Sequence, residues 1–170
     1  DLMDLWLAAN CQFMINPVAG GLSSVAVAYR RPVFCFNYGL DFWSTAKDSL
    51  VSFKKFKKAD QYLTFSEIIK LVKTLGEKGN KKEIMYPSGT IIRSGIHIEN
   101  ESEAEILEML DEMISRLNGT WESNPEIIEM QKIFWSILQE WENFHFWHGD
   151  KMLCHIGQNY LLQNKDWLLK

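Results

Sequence analysis

The densest concentration of groups able to do chemistry lies in Asn16-Pro17-Val18-Ala19-Gly20-Gly21-Leu22-Ser23-Ser24. An apolar run ends there in two glycines and leads into a segment of small residues. A strand that passes into a helix through glycine gathers unpaired backbone N–H groups and the positive end of the helix dipole at one spot, which suits an anion. Gly20 and Gly21 allow a phosphate to approach the backbone with no Cβ in the way, and the Ser23 and Ser24 hydroxyls add donors. The spacing is neither a dinucleotide fingerprint nor a Walker loop, since it contains no G-x-G-x-x-G and no Gly-Lys-Ser/Thr. The alternative is a turn whose small residues serve helix-sheet packing alone.

Other side chains invite chemistry of their own. Asn37 closes the next apolar run, and the carboxyl ends of parallel strands are where ligands sit in open α/β sheets; a strand-end cap is the competing role. Tyr38, Phe42 and Trp43 can stack on a base or sugar face, or fill a core. Glu99, Asn100 and Glu101 precede a helix start, where a carboxylate can accept ribose or sugar hydroxyls, or simply cap and solvate. Lys54 to Lys58 offers charge to a diphosphate, an anionic acceptor or a membrane surface, against the plainer reading of a solvated loop. Arg93 can clamp a phosphate. His97, His145, His148 and His155 offer general-base chemistry; His145 and His148 are three apart but lack a third metal ligand.

The elements that must position these groups follow from periodicity and punctuation. Leu2 to Ala9 reads as a helix and Gln12 to Ile15 as a short strand that stops at Asn16-Pro17. Leu22 to Tyr29 reads as a helix, and Pro32 closes it and opens the strand Val33 to Asn37. Such a strand, helix, strand order belongs to a parallel sheet. Residues 38 to 52 read as irregular. Thr64 or Ser66 caps a helix over Glu67 to Leu75, and a short strand is expected at Gly95 to Ile98. Ser102 and Glu105 make a capping box for a helix with Ile106, Leu110, Met113, Ile114 and Leu117 on one stripe, ending at Asn118-Gly119. Pro125 opens another, striped with Ile127, Met130, Phe134, Ile137, Leu138 and Trp141. A last helix is expected from Lys151 to about Leu162.

At 170 residues and 46% hydrophobic the chain supports one compact core. A net charge of −4 gives no basic field for nucleic acid. The charge is uneven: residues 51 to 82 hold nine Lys against Asp60, Glu67 and Glu77, whereas acids dominate from Glu99 to Glu142. Cys11, Cys35 and Cys154 are odd in number and far apart, which argues against a zinc site or a disulfide framework and fits a reducing compartment. No run reaches the roughly 18 apolar residues of a membrane span. The first residue is Asp1, followed by an amphipathic segment without a secretory n-region, so an amino-terminal portion is expected to precede it.

The blocks "LWLAANCQFMINPVAGGLSSVAVAYRRPVFCFNY", "LTFSEIIK", "GIHIENESEAEILEMLDEMISRLNGTW" and "IGQNYLLQNKDWLL" cover nearly the whole chain in order. The ordered set resembles the carboxy-terminal half of a bacterial GT-B-type glycosyltransferase family. Its members show a "wl..a.C.F.i....G.s.va..f..PV...N" block, a Leu-Ser/Thr-Phe-x-Glu segment and a later "GI.i.eNt.eEI...v.EM..rl.g.w" block. At Ala19-Gly20-Gly21 the family more often has Ser-Gly, so one hydroxyl donor is missing here.

The resemblance implies an α/β, Rossmann-like fold with an incomplete parallel sheet over residues 1–100 and a helical carboxy-terminal extension packed on it over 101–170. It implies hexosyltransferase-like transfer from a nucleotide sugar in polysaccharide synthesis, with Gly20, Gly21, Ser23, Ser24, Asn37, Tyr38, Glu99 and Asn100 toward the donor. No metal or other cofactor is expected, and the catalytic base is assigned to a missing amino-terminal domain, toward which the terminal helix with Trp167 would reach. A cytoplasmic location is implied, with peripheral contact at the inner face of the membrane. Two other readings stay open: a non-catalytic anion-binding module and a helical interaction domain.

Overall fold

A computed structural model describes residues 1–17, 21–39, 47–77, 94–139 and 154–169. Gly20, Phe42, Trp43, Arg93, His145, His148 and Lys151 lie outside the described residues. The first half opens with helix α1 (Leu2–Asn10), strand β1 (Met14–Asn16), helix α2 (Gly21–Ala28) and strand β2 (Val33–Tyr38), matching the expected strand, helix, strand order within a residue or two. Strand β3 (Leu50–Phe53) follows, then β4 (Lys55–Lys58), β5 (Gln61–Tyr62), helix α3 (Phe65–Glu77) and β6 (His97–Glu99). The second half contains α4 (Glu103–Leu117), α5 (Pro125–Gln139), β7 (His155–Ile156), α6 (Gln158–Gln163) and α7 (Lys165–Leu169).

The fold is α/β. Its main sheet has four strands in the order β1-β2-β3-β7, every pair parallel. Strands β2 and β3 are central and carry near-continuous apolar runs, as strands covered on both faces must. Two expectations are corrected here. The stretch taken as irregular up to Ser52 contains β3, all four of whose residues are buried. The single helix expected from Lys151 is, over its described part, a strand followed by two short helices. His155 donates its backbone N–H to Ser49 at 2.8 Å and Gly157 donates to Val51 at 3.0 Å, so the back half supplies the fourth strand of the front half's sheet.

A second, antiparallel sheet has the order β5-β4-β6. The basic segment forms its middle strand rather than a solvated loop. Phe56 is buried while Lys55 and Lys57 point outward, and these pair with Glu105 and Glu99, each at 2.6 Å. Alternation with a period of two is the strand signature within "KFK".

Aromatic packing fastens the back half to the front. Phe65 stacks on Phe134 with ring centroids 4.6 Å apart, and Trp167 lies 4.8 Å from Phe65 and 5.9 Å from Phe53 of β3. Trp167 is thus buried in this chain's own core, and the expectation that it reaches toward another domain is corrected. The expected stripe of α4 holds in part: Ile106, Leu110 and Leu117 are half-buried against the core. Met109, Glu112 and Met113 are fully buried, while Ile114 is 41% exposed. Gly157 passes close to this face, where a Cβ would stand 2.6 Å from the Met109 methyl group. The capping box holds as expected: the Ser102 hydroxyl accepts from the Glu105 N–H at 3.3 Å, and Glu105 accepts from the Ser102 N–H at 2.7 Å.

Candidate functional site

The parallel strands share one carboxyl edge, and most of the sequence-selected residues lie along it. Asn16 ends β1 opposite Cys35 of β2, so the turn into α2 leaves the sheet on the same edge where Asn37 and Tyr38 end β2. Gly21 is the first residue of α2, and Ser23 and Ser24 occupy its first turn. Among the described residues nothing lies within 4 Å of a Cβ built on Gly21, and its φ is outside the left-handed region. Packing therefore does not demand a glycine at this position. Gly21 opens α2 at the carboxyl edge of the sheet, and the first turn of a helix carries the positive end of its dipole.

Asn37, Tyr38 and Glu99 are engaged within the protein. Asn37 adopts φ +51°, a left-handed conformation that asparagine tolerates better than most residues. Its N–H donates to a Glu101 carboxylate oxygen at 2.8 Å, and its side-chain oxygen accepts from the Glu101 N–H at 2.5 Å. The Ser52 hydroxyl at the end of β3 donates to the same Glu101 oxygen. Asn37, Ser52 and Glu101 thus form a clamp that ties two strand ends to the start of α4. Tyr38 is 5% exposed, with its ring edge-on to Phe53 at 6.3 Å. Glu99 accepts from Lys57 at 2.6 Å and from the Tyr62 hydroxyl at 2.7 Å, and these two donors hold its pKa below the usual carboxylate value. Asn100 is exposed between β6 and α4.

Glu101 carries the most consequence at this edge. One carboxylate oxygen takes both donors, whereas Oε1 is buried with no hydrogen-bond partner among the described residues. Burial raises its pKa against the opposing pull of Ser52 and Asn37. Nearby, burial first and the Glu101 and Glu105 carboxylates second push the Tyr160 phenol well above its ordinary value.

Sequence patterning did not single out Glu112, which is wholly buried midway along α4. It pairs with Arg116 at 2.8 Å and accepts from the Gln158 N–H at 2.7 Å. Its place on the same face as Met109 and Met113, with Arg116 four residues on, is the signal available for it.

Two of the cavities lined by described residues flank these elements. One of about 400 Å³ opens between β4–β5 and the last two helices, with Lys55, Tyr62, Asn164 and Trp167 among its lining. The other, about 340 Å³, lies at the amino edge of the sheet. Among the described residues no group of three or more His, Cys, Asp or Glu side chains is placed to hold a metal ion, and no helix is long and apolar enough to cross a membrane. Comparisons with protein-family models, with curated proteins and with solved structures find no match for this chain.

Proposed function

We propose that the chain is the donor-binding part of a nucleotide-sugar-dependent glycosyltransferase, with β1, the glycine turn and α2 receiving the donor diphosphate. The observation that carries this reading is the place of the first turn of α2 at the carboxyl edge of a parallel sheet, where no packing contact among the described residues calls for Gly21. Backbone amides and the Ser23 and Ser24 hydroxyls act on the phosphate oxygens. The helix dipole adds positive potential without a divalent cation. Asn37 and Glu101 contribute by fixing the floor of the site through their mutual bonds. Transfer itself requires a base and an acceptor site from an amino-terminal domain.

Thermal unfolding of the chain against UDP, GDP, ADP and CMP tests the reading first. A ligand present at 100 times its Kd stabilises the native state by about 2.7 kcal/mol. One nucleotide class is expected to raise the midpoint, and Gly21→Val with Ser23→Ala is expected to abolish that rise. A folded chain indifferent to all four nucleotides defeats the proposal.

A second reading draws on α1, where Leu2, Met3, Leu5, Trp6 and Leu7 are all between 47% and 83% exposed. That apolar face favours docking against a partner domain. Concentration-dependent self-association that Trp6→Glu suppresses, with no response to nucleotides, would favour a pure interaction module.

A further inference from the structure

The cavity at the amino edge is lined by Asp48, Arg116, Leu117, Trp121, Ser123 and His155, none of them used in the reading above. Asp48 stands two residues before β3 and His155 opens β7, so the cavity is at the end of the sheet opposite Asn37 and Glu101. The rest of the wall comes from the last turn of α4 and the link to α5. Its volume of about 340 Å³ lies at the lower end of the roughly 300–1,000 Å³ range of small-molecule sites.

The polar groups of this wall are largely unspent. The Trp121 indole Nε1–H is buried with no partner among the described residues, a rare state for a buried donor. Asp48 and Ser123 are exposed, and among the described residues their side chains and the His155 ring make no hydrogen bond. Arg116 commits Nε to Glu112 at 2.8 Å and lays its guanidinium over the Trp121 ring, 5.5 Å from the centroid; its other N–H groups remain for a ligand.

Charge and polarity narrow the class of that ligand. Glu112 already answers Arg116, and Asp48 adds a negative charge, so the lining does not suit a polyanion. Burial, followed by Arg116, holds the His155 pKa below the ordinary imidazole value against the pull of Asp48. A neutral imidazole and a hydroxyl each donate and accept. Beside them stand a pure acceptor, Asp48, two pure donors, Trp121 and Arg116, and the apolar surfaces of Leu117 and the indole. A sugar ring matches such a wall, because each hydroxyl both donates and accepts while the C–H face is apolar.

We propose that this amino-edge cavity binds a neutral mono- or disaccharide, with Asp48 accepting from ring hydroxyls and Trp121 and Arg116 donating to ring oxygens. It is separate from the β1–α2 turn and does not depend on what that turn binds.

Saturation-transfer NMR on the whole chain tests the proposal with glucose, galactose, mannose, N-acetylglucosamine, lactose and cellobiose, followed by calorimetric titration of any sugar that responds. Ring protons of at least one sugar are expected to receive saturation. Asp48→Asn and Trp121→Phe are each expected to weaken its Kd about tenfold, the first by replacing a charged acceptor with a neutral amide and the second by leaving a ring oxygen without its donor. Asparagine tolerates the φ of +65° at position 48, and phenylalanine keeps the ring while removing only the indole donor, so both variants are built to stay folded; circular dichroism checks this. A folded chain that responds to none of the sugars overturns the proposal. So does binding that both variants leave intact, binding that Gly21→Val abolishes while Asp48→Asn spares it, or displacement of the sugar by inorganic phosphate.

Discussion

The two edges of the parallel sheet treat their polar side chains in opposite ways. At the carboxyl edge Asn37, Ser52 and Glu101 spend their hydrogen bonds on one another, and Glu99 spends its on Lys57 and Tyr62. At the amino edge Asp48, Ser123, His155 and the Trp121 indole hold theirs in reserve around a cavity. A polar residue at a strand end is therefore not a site by position alone. What separates frame from site is whether its donors and acceptors are already satisfied by the protein. On this criterion Asn37, Ser52, Glu101 and Glu99 belong to the frame.

The sharpest break in this comparison is expected midway between the edges. Glu112→Ala leaves Arg116 without its carboxylate and the Gln158 N–H without its acceptor, and removal of one partner of a buried ion pair costs about 3–5 kcal/mol. Thermal unfolding should show a midpoint lower by roughly 10 °C. A loss below about 1 kcal/mol would mean that Arg116 finds other company and that α4 is not pinned there.

Next in size is the clamp. Asn37→Ala loses one hydrogen bond and places alanine in a left-handed conformation, together about 2 kcal/mol. Asn37→Gly should recover the conformational part, about 1 kcal/mol. Equal losses in denaturant titrations of the two variants would show that the backbone is not strained at this position.

A smaller effect separates the edges by pH. The Glu101 pKa is raised in the folded chain, so the native state binds the proton more tightly than the unfolded one. Its contribution is complete below about pH 4.3, the ordinary glutamate value, and is lost as pH rises through the folded value. Glu101→Gln, which cannot ionise, should flatten that decline while leaving the rest of the stability profile in place. An unchanged decline would locate its source elsewhere, with Glu112, whose pKa burial also raises, as the next group to examine.

The smallest change in stability belongs to the open edge. Asp48→Asn and Ser123→Ala should stay within about 0.5 kcal/mol of the parent chain, since they remove no internal hydrogen bond. A loss of 2 kcal/mol in either would reassign the amino-edge wall from site to frame.

Legibility in the sequence followed local punctuation. β1, α2 and β2 are marked by Asn16-Pro17, Gly21 and Pro32, and α4 by the Ser102–Glu105 capping box, and all lie within one or two residues of their expected places. β3 was hidden because a strand buried on both faces shows no alternation, and it follows an aromatic stretch that reads as irregular. β7 was hidden because its two residues lie in a segment of helix formers, and only pairing with β3 makes them a strand. The carboxyl-edge positions were legible, but the roles of their side chains were not. Asn37 and Glu101 are 64 residues apart, and their bonds exist only once α4 is seated. The amino-edge cavity draws on three separate parts of the chain, so no motif announces it.

The order in which the sheet is completed carries a consequence for synthesis. β3 is made about a hundred residues before the strand that flanks it. Until His155 and Ile156 have emerged, a nascent chain presents Leu50 and Val51 along an unpaired sheet edge, and the aromatic cluster lacks Trp167. Such late closure slows folding, because a long loop must be ordered before its contacts repay the cost. A ribosome stalled before residue 155 would hold an aggregation-prone chain, and release of the last segment would let it close.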